Sequence, residues 1–366
     1  MPDVHAKFSP SAAEQYINCP PSLKLCEQAD IDGGSEYAAE GTEAHALCEY
    51  LLLEALGRHS EDPRPKLTKY TAEMQECAEG YRDMVLEIYQ PNDFISVEQR
   101  VHFDEYVPGG FGTSDCIVIG NGQMHIIDYK HGVGVKVSAE NNAQLKCYAL
   151  GAYLAFCPLY DIADITLIIY QPRINNFSKW TLKTEELLEW AENVLRPRTE
   201  FALKGCGNFN CGSWCKFCKA KAVCRKLTET MTELAKYEFS EPAMLNENEI
   251  NDVLLKADQL TSWVKAVKDY ALQRALSGYS WKDWKVIEGQ SRRKYTDENK
   301  VAEVLKAAGY DPYEQSVLGI TAMEKLIGKK KFNELLNDLV VKPKGEPKLV
   351  SRQDKSEEID IWEETE

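Results

Sequence analysis

The chain predicts an α/β fold in which a mixed central β-sheet is flanked by helices, with a helical extension at the C-terminal end. Two observations carry this expectation. Short apolar runs rich in β-branched residues alternate with longer segments whose apolar residues recur at helical spacing. An Asn-Gly pair, the strongest short-range hairpin signal, joins two of the apolar runs, CIVIG and MHIID. Helices and strands that alternate in this way are typical of a sheet covered by helices.

The elements follow in order along the chain. Helical periodicity predicts helices over 8–27 with a break at Pro20 and Pro21, over 36–57 and over 70–89. Strands are predicted over 94–102, 113–120 and 123–130, followed by a helix over 139–156. ITLIIYQP and FSKWTLK then predict two further strands, and 184–203 predicts a helix that closes this part of the chain.

The character of the sequence changes after residue 230. Residues 247–277 predict a long amphipathic helix, WKDWKVIEG a strand, and 296–341 short helices separated by glycines. From residue 342 the Pro, Lys and Glu content is typical of a disordered tail. We therefore expect an N-terminal domain over 1–230, a helical accessory domain over 231–341 and a disordered acidic tail over 342–366.

Charge and composition limit the function classes. The first residues have no apolar core of a signal peptide, and no apolar run approaches membrane-span length. A cytoplasmic protein is expected, so disulfides explain the 12 cysteines poorly. The net charge of −15 argues mildly against a nucleic-acid partner, but CKFCKAKAVCRK and GQSRRKY are locally basic. Membrane proteins and disulfide-stapled secreted domains are therefore disfavoured.

The hairpin at 112–130 carries the most chemical information. Asp115 opens its first strand, and Asp128 and Lys130 close its second, where side chains two apart share a face. Paired carboxylates bind a hard divalent cation, and a neighbouring ammonium can hold a water or a developing phosphate charge. This is the chemistry of metal-assisted phosphodiester cleavage. An Asp-x-Lys pair on a solvated strand face is the plainer interpretation.

The ordered set of motifs resembles the PD-(D/E)XK nuclease superfamily, in its RecB-like branch. Gly-x-x-Asp ending at Asp115, the DYK of 128–130, and Gln144 and Tyr148 in NNAQLKCYALGAY match that core in order. The resemblance implies that Asp115, Asp128 and Lys130 are catalytic and that Gln144 and Tyr148 orient the scissile strand.

Further ligands are implied by the same resemblance. His45, in a helix-like Gly-x-x-x-His pattern, matches a metal-binding histidine, and Glu98 matches an acidic residue of the first core strand. One or two Mg²⁺ or Mn²⁺ ions would then be bound by His45, Asp115, Asp128 and the Tyr129 carbonyl, with support from Glu98. On their own, His45 would be read as a surface or core histidine and Glu98 as a solvated carboxylate.

A cysteine cluster gives a second argument. CGNFNCGSWCKFCKAKAVC contains five cysteines, and Cys19 precedes Pro20 far upstream. Nucleases of the AddB and CRISPR-adaptation types are similar in having one cysteine before the core and three after it, which jointly bind a 4Fe–4S cluster. By that resemblance the ligands are Cys19, Cys215, Cys218 and Cys224. The spacing alone fits structural Zn²⁺ equally well, Cys206 and Cys211 could join a local zinc knuckle, and Cys26 is a rival to Cys19.

The resemblance implies a metal-dependent DNA nuclease of phage or prophage replication and recombination. An exonuclease acting on DNA ends or single strands is expected, with DNA and a phage recombination or single-strand-binding protein as partners. Two other classes stay open: a non-catalytic DNA-binding or assembly subunit that keeps the fold, and a zinc-stapled interaction protein in which the Asp-x-Lys pair is incidental.

Overall fold

The structure, a computed structural model, describes residues 7–29, 36–233 and 247–287, and beyond these only residues 300, 303, 306, 323, 326, 328–336 and 339–340. The chain divides into two compact units, 1–274 and 275–366. The expected boundary after residue 230 falls inside the first unit, and the three-part division stays a prediction. The expected tail over 342–366 and the basic segment GQSRRKY lie outside the described residues.

The helices begin and end close to the predicted limits. In chain order they are α1 Ala13–Asn18, α2 Ser22–Ala29, α3 Glu36–Ala55, α4 Ala72–Ile88, α5 Ala143–Phe156, α6 Thr184–Trp190, α7 Arg196–Lys204, α8 Arg225–Thr232, α9 Glu247–Leu276 and α10 Lys329–Leu336. A π-helical segment, Ala191–Leu195, joins α6 to α7. The described regular structure after residue 231 is helical, which agrees with the expected helical extension.

Five strands form one sheet. They are β1 Phe94–His102, β2 Phe111–Gly120, β3 Gln123–Tyr129, β4 Asp164–Gln171 and β5 Asn176–Lys183, in the spatial order β1-β2-β3-β4-β5. Neighbouring strands are antiparallel except β3 and β4, which are parallel and joined through α5. A parallel pair needs such a crossover connection. The predicted α/β class with a mixed sheet and flanking helices is confirmed.

Both faces of the central strands β2, β3 and β4 are buried, each in its own hydrophobic core. Cys116 and Val118 of β2 pack with Leu47 of α3 and Val85 of α4 on one face. Ile117, the residue between them, packs on the opposite face, where α5 lies. Because side chains alternate along a strand, each run of consecutive apolar residues supplies both cores. Polar side chains at the ends of these strands depart from the apolar pattern, so they require a structural or functional explanation.

The hairpin turn between β2 and β3 fixes the strand register. Asn121 has φ +51° and Gly122 has φ +75°, the two left-handed residues that a type I′ turn requires. Gly120 pairs with Gln123, and the ladder continues to Cys116 opposite Ile127. One further step of the same register brings Asp128 opposite Asp115. The Asn-Gly turn thus sets the register that brings Asp115 and Asp128, thirteen positions apart in sequence, opposite each other.

Two local predictions are wrong. Residues 139–142 lie outside α5, because the Asn142 side chain accepts a hydrogen bond from the Leu145 N–H and begins the helix there. Residues 281–287 of WKDWKVIEG form no strand. A strand needs a neighbour to pair with, whereas Trp281 packs its ring against Tyr279 at 4.6 Å.

Candidate functional site

Three carboxylates form a row across β1, β2 and β3. Val97 pairs with Cys116 and Gln99 with Ser114, so Glu98 lies opposite Asp115. The β2–β3 register then places Asp128 opposite Asp115 on its other side. Carboxylates directly opposite each other on a sheet repel unless a cation or proton lies between them. The row is therefore an arrangement that requires positive charge.

A histidine from α3 completes the first half of the site. His45 Nδ1 lies 3.4 Å from Asp115 Oδ1. One ligand atom each from His45, Glu98 and Asp115 lie within 4.8 Å of one another. The Tyr129 N–H donates to Asp115 Oδ2 at 2.7 Å, which fixes this carboxylate and leaves its other oxygen to the shared space. Carboxylate oxygens are ligands that suit Mg²⁺ and Mn²⁺, and an imidazole nitrogen is a common ligand of divalent transition metals.

Glu98 reaches this group through an unusual backbone conformation. Its φ is +48°, although it lies in the middle of β1. A side chain in an extended strand would follow the alternation of its neighbours, whereas a left-handed residue turns its side chain away from that pattern. Such a conformation costs free energy in a residue other than glycine. The strained residue is therefore the one whose carboxylate lies beside His45 and Asp115.

The second half of the site contains Asp128, Lys130 and two side chains of α5. Lys130 Nζ lies 2.9 Å from Asp128 Oδ2 and donates to Asp128 Oδ1 at 3.2 Å. It also donates to Gln144 Oε1 at 3.2 Å, and Gln144 Nε2 donates to Tyr148 Oη at the same distance. Gln144 and Tyr148 are four residues apart and so share one face of α5. The sheet and α5 thus deliver an ammonium, an amide and a phenol beside the carboxylate row.

The fit of a cation can be judged from Asp128. Only 3% of its side chain is exposed, and its Oδ2 forms an ion pair with Lys130 Nζ at 2.9 Å that is not a well-directed hydrogen bond. A buried carboxylate oxygen is normally paired, hydrogen-bonded or bound to metal. The converging donor set of His45, Glu98 and Asp115 fits a divalent cation, and Asp128 stays a predicted ligand. The Tyr129 carbonyl stays a predicted ligand.

The pKa values of the site reflect burial and crowding of charge. Burial, together with the Asp115 carboxylate, raises the pKa of Glu98 to about 8. Burial opposes a proton on His45, but the Asp115 carboxylate outweighs it and the pKa of His45 is raised to about 9. Burial also raises the pKa of Asp128, against the effect of Lys130. Protons therefore compete with a cation for these groups.

Gly112 allows close packing beside the site. Gly112 and Gly132 bracket the hairpin motif, and glycines at such positions can let a backbone pass close to a ligand. A Cβ on Gly112 would instead lie 2.5 Å from Pro10 and 2.8 Å from Tyr148. Gly112 therefore allows β2 to pack against Tyr148, and a Cβ on Gly132 would meet nothing within 4 Å.

A partly buried ion network beside the site was missed by sequence reasoning. Arg173, just after β4, contacts Glu40 of α3 and Glu73 of α4, each at 3.2 Å. Buried His131, adjacent to Lys130, lies 3.3 Å from the same Glu40 oxygen, and the Tyr129 hydroxyl lies 2.8 Å from its Nδ1. The network ties the start of α3, and with it His45, to the strand ends. The signal in the sequence was an arginine directly after a buried strand.

The four cysteines proposed as cluster ligands line one cavity of about 20 Å³. Cys19 comes from the end of α1, whereas Cys215, Cys218 and Cys224 come from two short 3-10 turns after α7 and from the start of α8. Cys211 also lines the cavity, and we call these five residues the cysteine site. Gln15 and Trp214 border it. The cavity joins the two sequence regions that the resemblance connected, and thiols around one cavity are a donor set that fits iron–sulfur or zinc.

The remaining cysteines of interest differ in their surroundings. Cys26 Sγ lies 3.6 Å from Cys218 Sγ, and Gln15 Nε2 donates to both sulfurs. Cys206 is exposed, and its N–H donates to the Phe201 carbonyl at the end of α7. The Thr230 hydroxyl lies 3.5 Å from Cys211 Sγ. The choice of four ligands among these thiols stays a prediction.

Comparisons with known proteins give a family and a weak structural likeness. A family model described as Protein of unknown function (DUF2800) matches residues 5–357. The crystal structure of SSO0001 is similar over 49% of this chain and 95% of that one, at 15% identity and a TM-score of 0.23. At that TM-score the likeness carries no argument. Among the described residues, helices long enough to cross a bilayer lack the apolar character to do so.

Proposed function

We propose that this chain, which belongs to the family described as Protein of unknown function (DUF2800), is a divalent-metal-dependent deoxyribonuclease of the PD-(D/E)XK type. The observation that carries the proposal is the convergence of His45, Glu98 and Asp115 within 4.8 Å beside a buried Asp128–Lys130 pair. A solvated Asp-x-Lys pair would not have its aspartate buried, whereas only 3% of the Asp128 side chain is exposed. DNA ends or single strands are the proposed substrates, in an exonuclease of phage-type replication or recombination.

Hydrolysis would proceed by attack of water on the scissile phosphorus. A bond forms between the water oxygen and phosphorus, and the P–O bond to one sugar breaks. The water proton passes to solvent, and the departing sugar oxygen takes a proton from solvent. Bound Mg²⁺ or Mn²⁺ would lower the pKa of water and stabilise the negative charge that develops on the phosphate. His45, Glu98, Asp115 and Asp128 would bind the ion.

Lys130 supplies the fixed positive charge of this mechanism. Burial opposes its charged form, but the Asp128 carboxylate outweighs burial and raises the pKa of Lys130. The side chain is therefore an ammonium at neutral pH. It donates hydrogen bonds and cannot accept a proton. It can hold the attacking water by hydrogen bonding or stabilise a phosphate oxygen.

Gln144 and Tyr148 would orient the substrate strand. Burial raises the pKa of Tyr148, so its hydroxyl keeps its proton at neutral pH. The Gln144 amide already bonds to Lys130 and to Tyr148, which limits the directions in which both side chains can point. A phenol and an amide held in this way can position a phosphodiester for in-line attack.

The cysteine site is proposed to bind a structural 4Fe–4S cluster through Cys19, Cys215, Cys218 and Cys224. Thiols from both ends of the nuclease region line the cavity, and none of them contacts the carboxylate row. A group bound there would restrict the unfolded chain by closing a loop of about 200 residues. Zn²⁺ bound by the same thiols is the alternative.

The test is incubation of the purified chain with end-labelled single- and double-stranded DNA, with Mg²⁺, with Mn²⁺ and with a chelator. Wild type should shorten the labelled strand only when a cation is present. Asp128→Ala should keep its fold and lose cleavage. Asp164→Ala removes an aspartate that pairs with Lys183 at 2.7 Å on the surface, and it should cut like wild type.

Full cleavage by a folded Asp128→Ala protein would contradict the proposal. DNA binding without cleavage by wild type in either cation would favour the non-catalytic DNA-binding subunit. An interaction protein stapled by zinc predicts neither binding nor cleavage, with one zinc per chain.

A further inference from the structure

Cys26 and Cys218 form a pair of free thiols beside the cysteine site. Their Sγ atoms lie 3.6 Å apart, although the two residues are 192 positions apart in the sequence. Cys26 lies in α2, and Cys218 directly precedes the 3-10 turn Lys219–Ala222, against which α2 packs. The pair therefore connects an N-terminal helix to the segment that follows α7.

One side-chain amide lies against both sulfurs. Gln15 Nε2 donates to Cys26 Sγ at 3.5 Å and to Cys218 Sγ at 3.6 Å, so the nitrogen and the two sulfurs form a nearly equilateral triangle. The same nitrogen donates to Ser22 Oγ at 3.0 Å, which fixes the amide in place. The amide thus holds the two cysteine side chains turned toward each other.

The separation of the two sulfurs is small enough for a bond to form. A disulfide has its sulfurs about 2.05 Å apart, so the pair must approach by about 1.5 Å from its separation of 3.6 Å. Rotation of the side chains can supply part of this movement. Cys218 has φ −67° and ψ +123° and precedes its turn, so a small shift of its backbone disturbs neither an α-helix nor the sheet.

The two thiols differ in how far they are exposed. Cys26 is half-buried, whereas Cys218 is buried. An oxidant that arrives from solvent therefore reaches Cys26 first, with Cys218 directly behind it. Cys48 and Cys77 form a contrast, because both are buried in the core that contains α3 and α4. A pair of thiols that only fills space is expected to resemble Cys48 and Cys77.

We propose that Cys26 and Cys218 form a reversible disulfide when the oxidant is a low-molecular-weight disulfide, such as glutathione disulfide, and Cys218 binds no metal. The Cys26 thiolate attacks one glutathione sulfur, a mixed disulfide forms, and the first glutathione leaves as a thiolate. The Cys218 thiolate then attacks the Cys26 sulfur and releases the second glutathione. Two protein thiols are oxidised, one glutathione disulfide is reduced to two thiols, and the two protein protons pass through solvent to the departing thiolates.

The bond closes a loop of nearly the same length as the proposed cluster does. A cross-link between residues 26 and 218 restricts the unfolded chain over 192 positions. A sulfur in a disulfide is no longer a thiolate ligand, so the bond and a metal exclude each other at Cys218. The disulfide therefore holds α2 against the later segment in chains without a cluster. This exclusion rests on the proposed function, whereas the bond itself does not.

The first test maps the bond by mass spectrometry of the full-length chain. The protein is freed of bound metal with a chelator, incubated with glutathione disulfide, blocked with N-ethylmaleimide in denaturant and digested with trypsin. Trypsin leaves Cys218 as the only cysteine of peptide 217–219, and Cys26 in peptide 25–58 together with Cys48. We expect these two peptides to be linked, with fragment ions that locate the bond at Cys26 and with loss of the link in dithiothreitol.

Two variants serve as the comparison. Cys26→Ser should abolish the linked peptide, whereas Cys157→Ser, at an exposed cysteine after α5, is the matched control and should keep it. Glutathione on Cys26 without the linked peptide would overturn the inference, and so would a link from Cys218 to the other cysteines of the later segment. Wild type alone decides these outcomes, so the test holds even if Cys26→Ser folds poorly.

The second test measures thermal unfolding of the chelator-treated chain. Glutathione disulfide should raise the Tm of wild type by roughly 5 °C or more, because the cross-link restricts the unfolded chain. The Tm of Cys26→Ser should not change, and dithiothreitol should reverse the rise in wild type. A linked peptide without a rise in Tm would overturn the stabilising role of the bond.

The outcomes separate this inference from the proposed function. Protein that retains its iron or zinc should give at least about tenfold less linked peptide than chelator-treated protein. Equal yields would overturn the exclusion and remove Cys218 from the proposed ligands. A linked peptide in a chain that never cleaves DNA supports the bond, whereas cleavage of DNA by a chain that forms no linked peptide overturns the bond and leaves the nuclease proposal standing.

Discussion

The carboxylate row and the cysteine site are built in opposite ways. Asp115 and Asp128 lie on adjacent strands of one hairpin, and the strand register alone brings them together. The cysteine site joins Cys19 to residues that follow α7, through short 3-10 turns and loops. The first is held by backbone hydrogen bonds of a sheet whose central strands are buried on both faces. The second has few regular elements to hold it.

Because the two sites are built differently, substitutions in them should have different effects on the fold. A side chain in the carboxylate row can be replaced without loss of the fold, because the strands keep their ladder and cores. The proposed cluster would use the side chains of the cysteine site to connect distant parts of the chain. Substitutions should therefore change chemistry in one region and stability in the other.

The largest effect is expected for Lys130→Ala. It removes the only ammonium bonded to Asp128 among the described residues, so cleavage should fall about 100-fold to 1,000-fold, as when one charge-stabilising donor is lost. The Tm should stay within a few degrees of wild type, measured by circular dichroism. Lys179→Ala, on the distant strand β5, is the control and should keep full activity. A parallel loss of Tm and activity in Lys130→Ala would remove the contrast between the two regions.

A large effect on stability is expected for Cys218→Ala. Loss of one ligand of a structural cluster should lower the Tm by roughly 10 °C or more, since metal binding contributes directly to folding. Iron and sulfide content, the absorbance of the purified protein and soluble yield should fall with it. Cys157→Ala, at an exposed cysteine after α5, should change none of these.

The identity of the fourth ligand sharpens this prediction. Cys19→Ala should behave like Cys218→Ala, whereas Cys206→Ala should be mild because Cys206 is exposed and outside the cavity. If Cys19→Ala keeps its metal and Cys206→Ala or Cys211→Ala loses it, the site is local to the segment after α7. One zinc per chain without iron, after anaerobic expression with sufficient iron, would decide for zinc.

A moderate effect is expected for Arg173→Lys. Lysine keeps the charge but cannot bridge Glu40 and Glu73 with a planar fork, so α3 and its His45 should be held less firmly. The concentration of Mn²⁺ needed for half-maximal cleavage should rise about tenfold, with little change at saturating Mn²⁺. Arg196→Lys, in an exposed pair with Glu192, is the matched control. Loss of activity that saturating Mn²⁺ does not restore would show that Arg173 acts in another way.

The smallest effect is expected for Glu98→Gly. Glycine tolerates a φ of +48° and removes a half-buried carboxylate, so the metal-free protein should become more stable by about 1 kcal/mol. Cation affinity, measured by isothermal calorimetry, should fall. Gln99→Gly, next along the same strand with no positive φ, should be destabilised instead. A stability loss in both variants would mean that Glu98 carries no backbone strain.

The sequence could predict the fold class and the hairpin because both depend on local signals. The Asn-Gly turn and the alternation of apolar residues on both strands determine the register of Asp115 and Asp128. The helix face shared by Gln144 and Tyr148 follows from their spacing. These features need no knowledge of distant contacts.

Other features depended on tertiary contacts that no local pattern records. The left-handed conformation of Glu98 interrupts a segment that otherwise alternates like an ordinary strand. The network of Arg173 joins a residue after β4 to two helices that come about 100 residues earlier in the chain. Six cysteines lie in or beside one region of the structure, and spacing cannot decide which four of them bind a metal.

The separation of Cys19 from Cys224 has a consequence for the order of events during synthesis. As the chain leaves the ribosome, the hairpin of β2 and β3 can form soon after residue 130 emerges, since its pairs are close in sequence. The cysteine site cannot be complete until residue 224 has emerged as well. Until then Cys19 lacks the later cysteines that line the same cavity. The proposed cluster could therefore be bound only after residue 224 has emerged, when the hairpin can already be folded. Expression that outpaces iron delivery should yield chains with a formed sheet and an unfilled cysteine site.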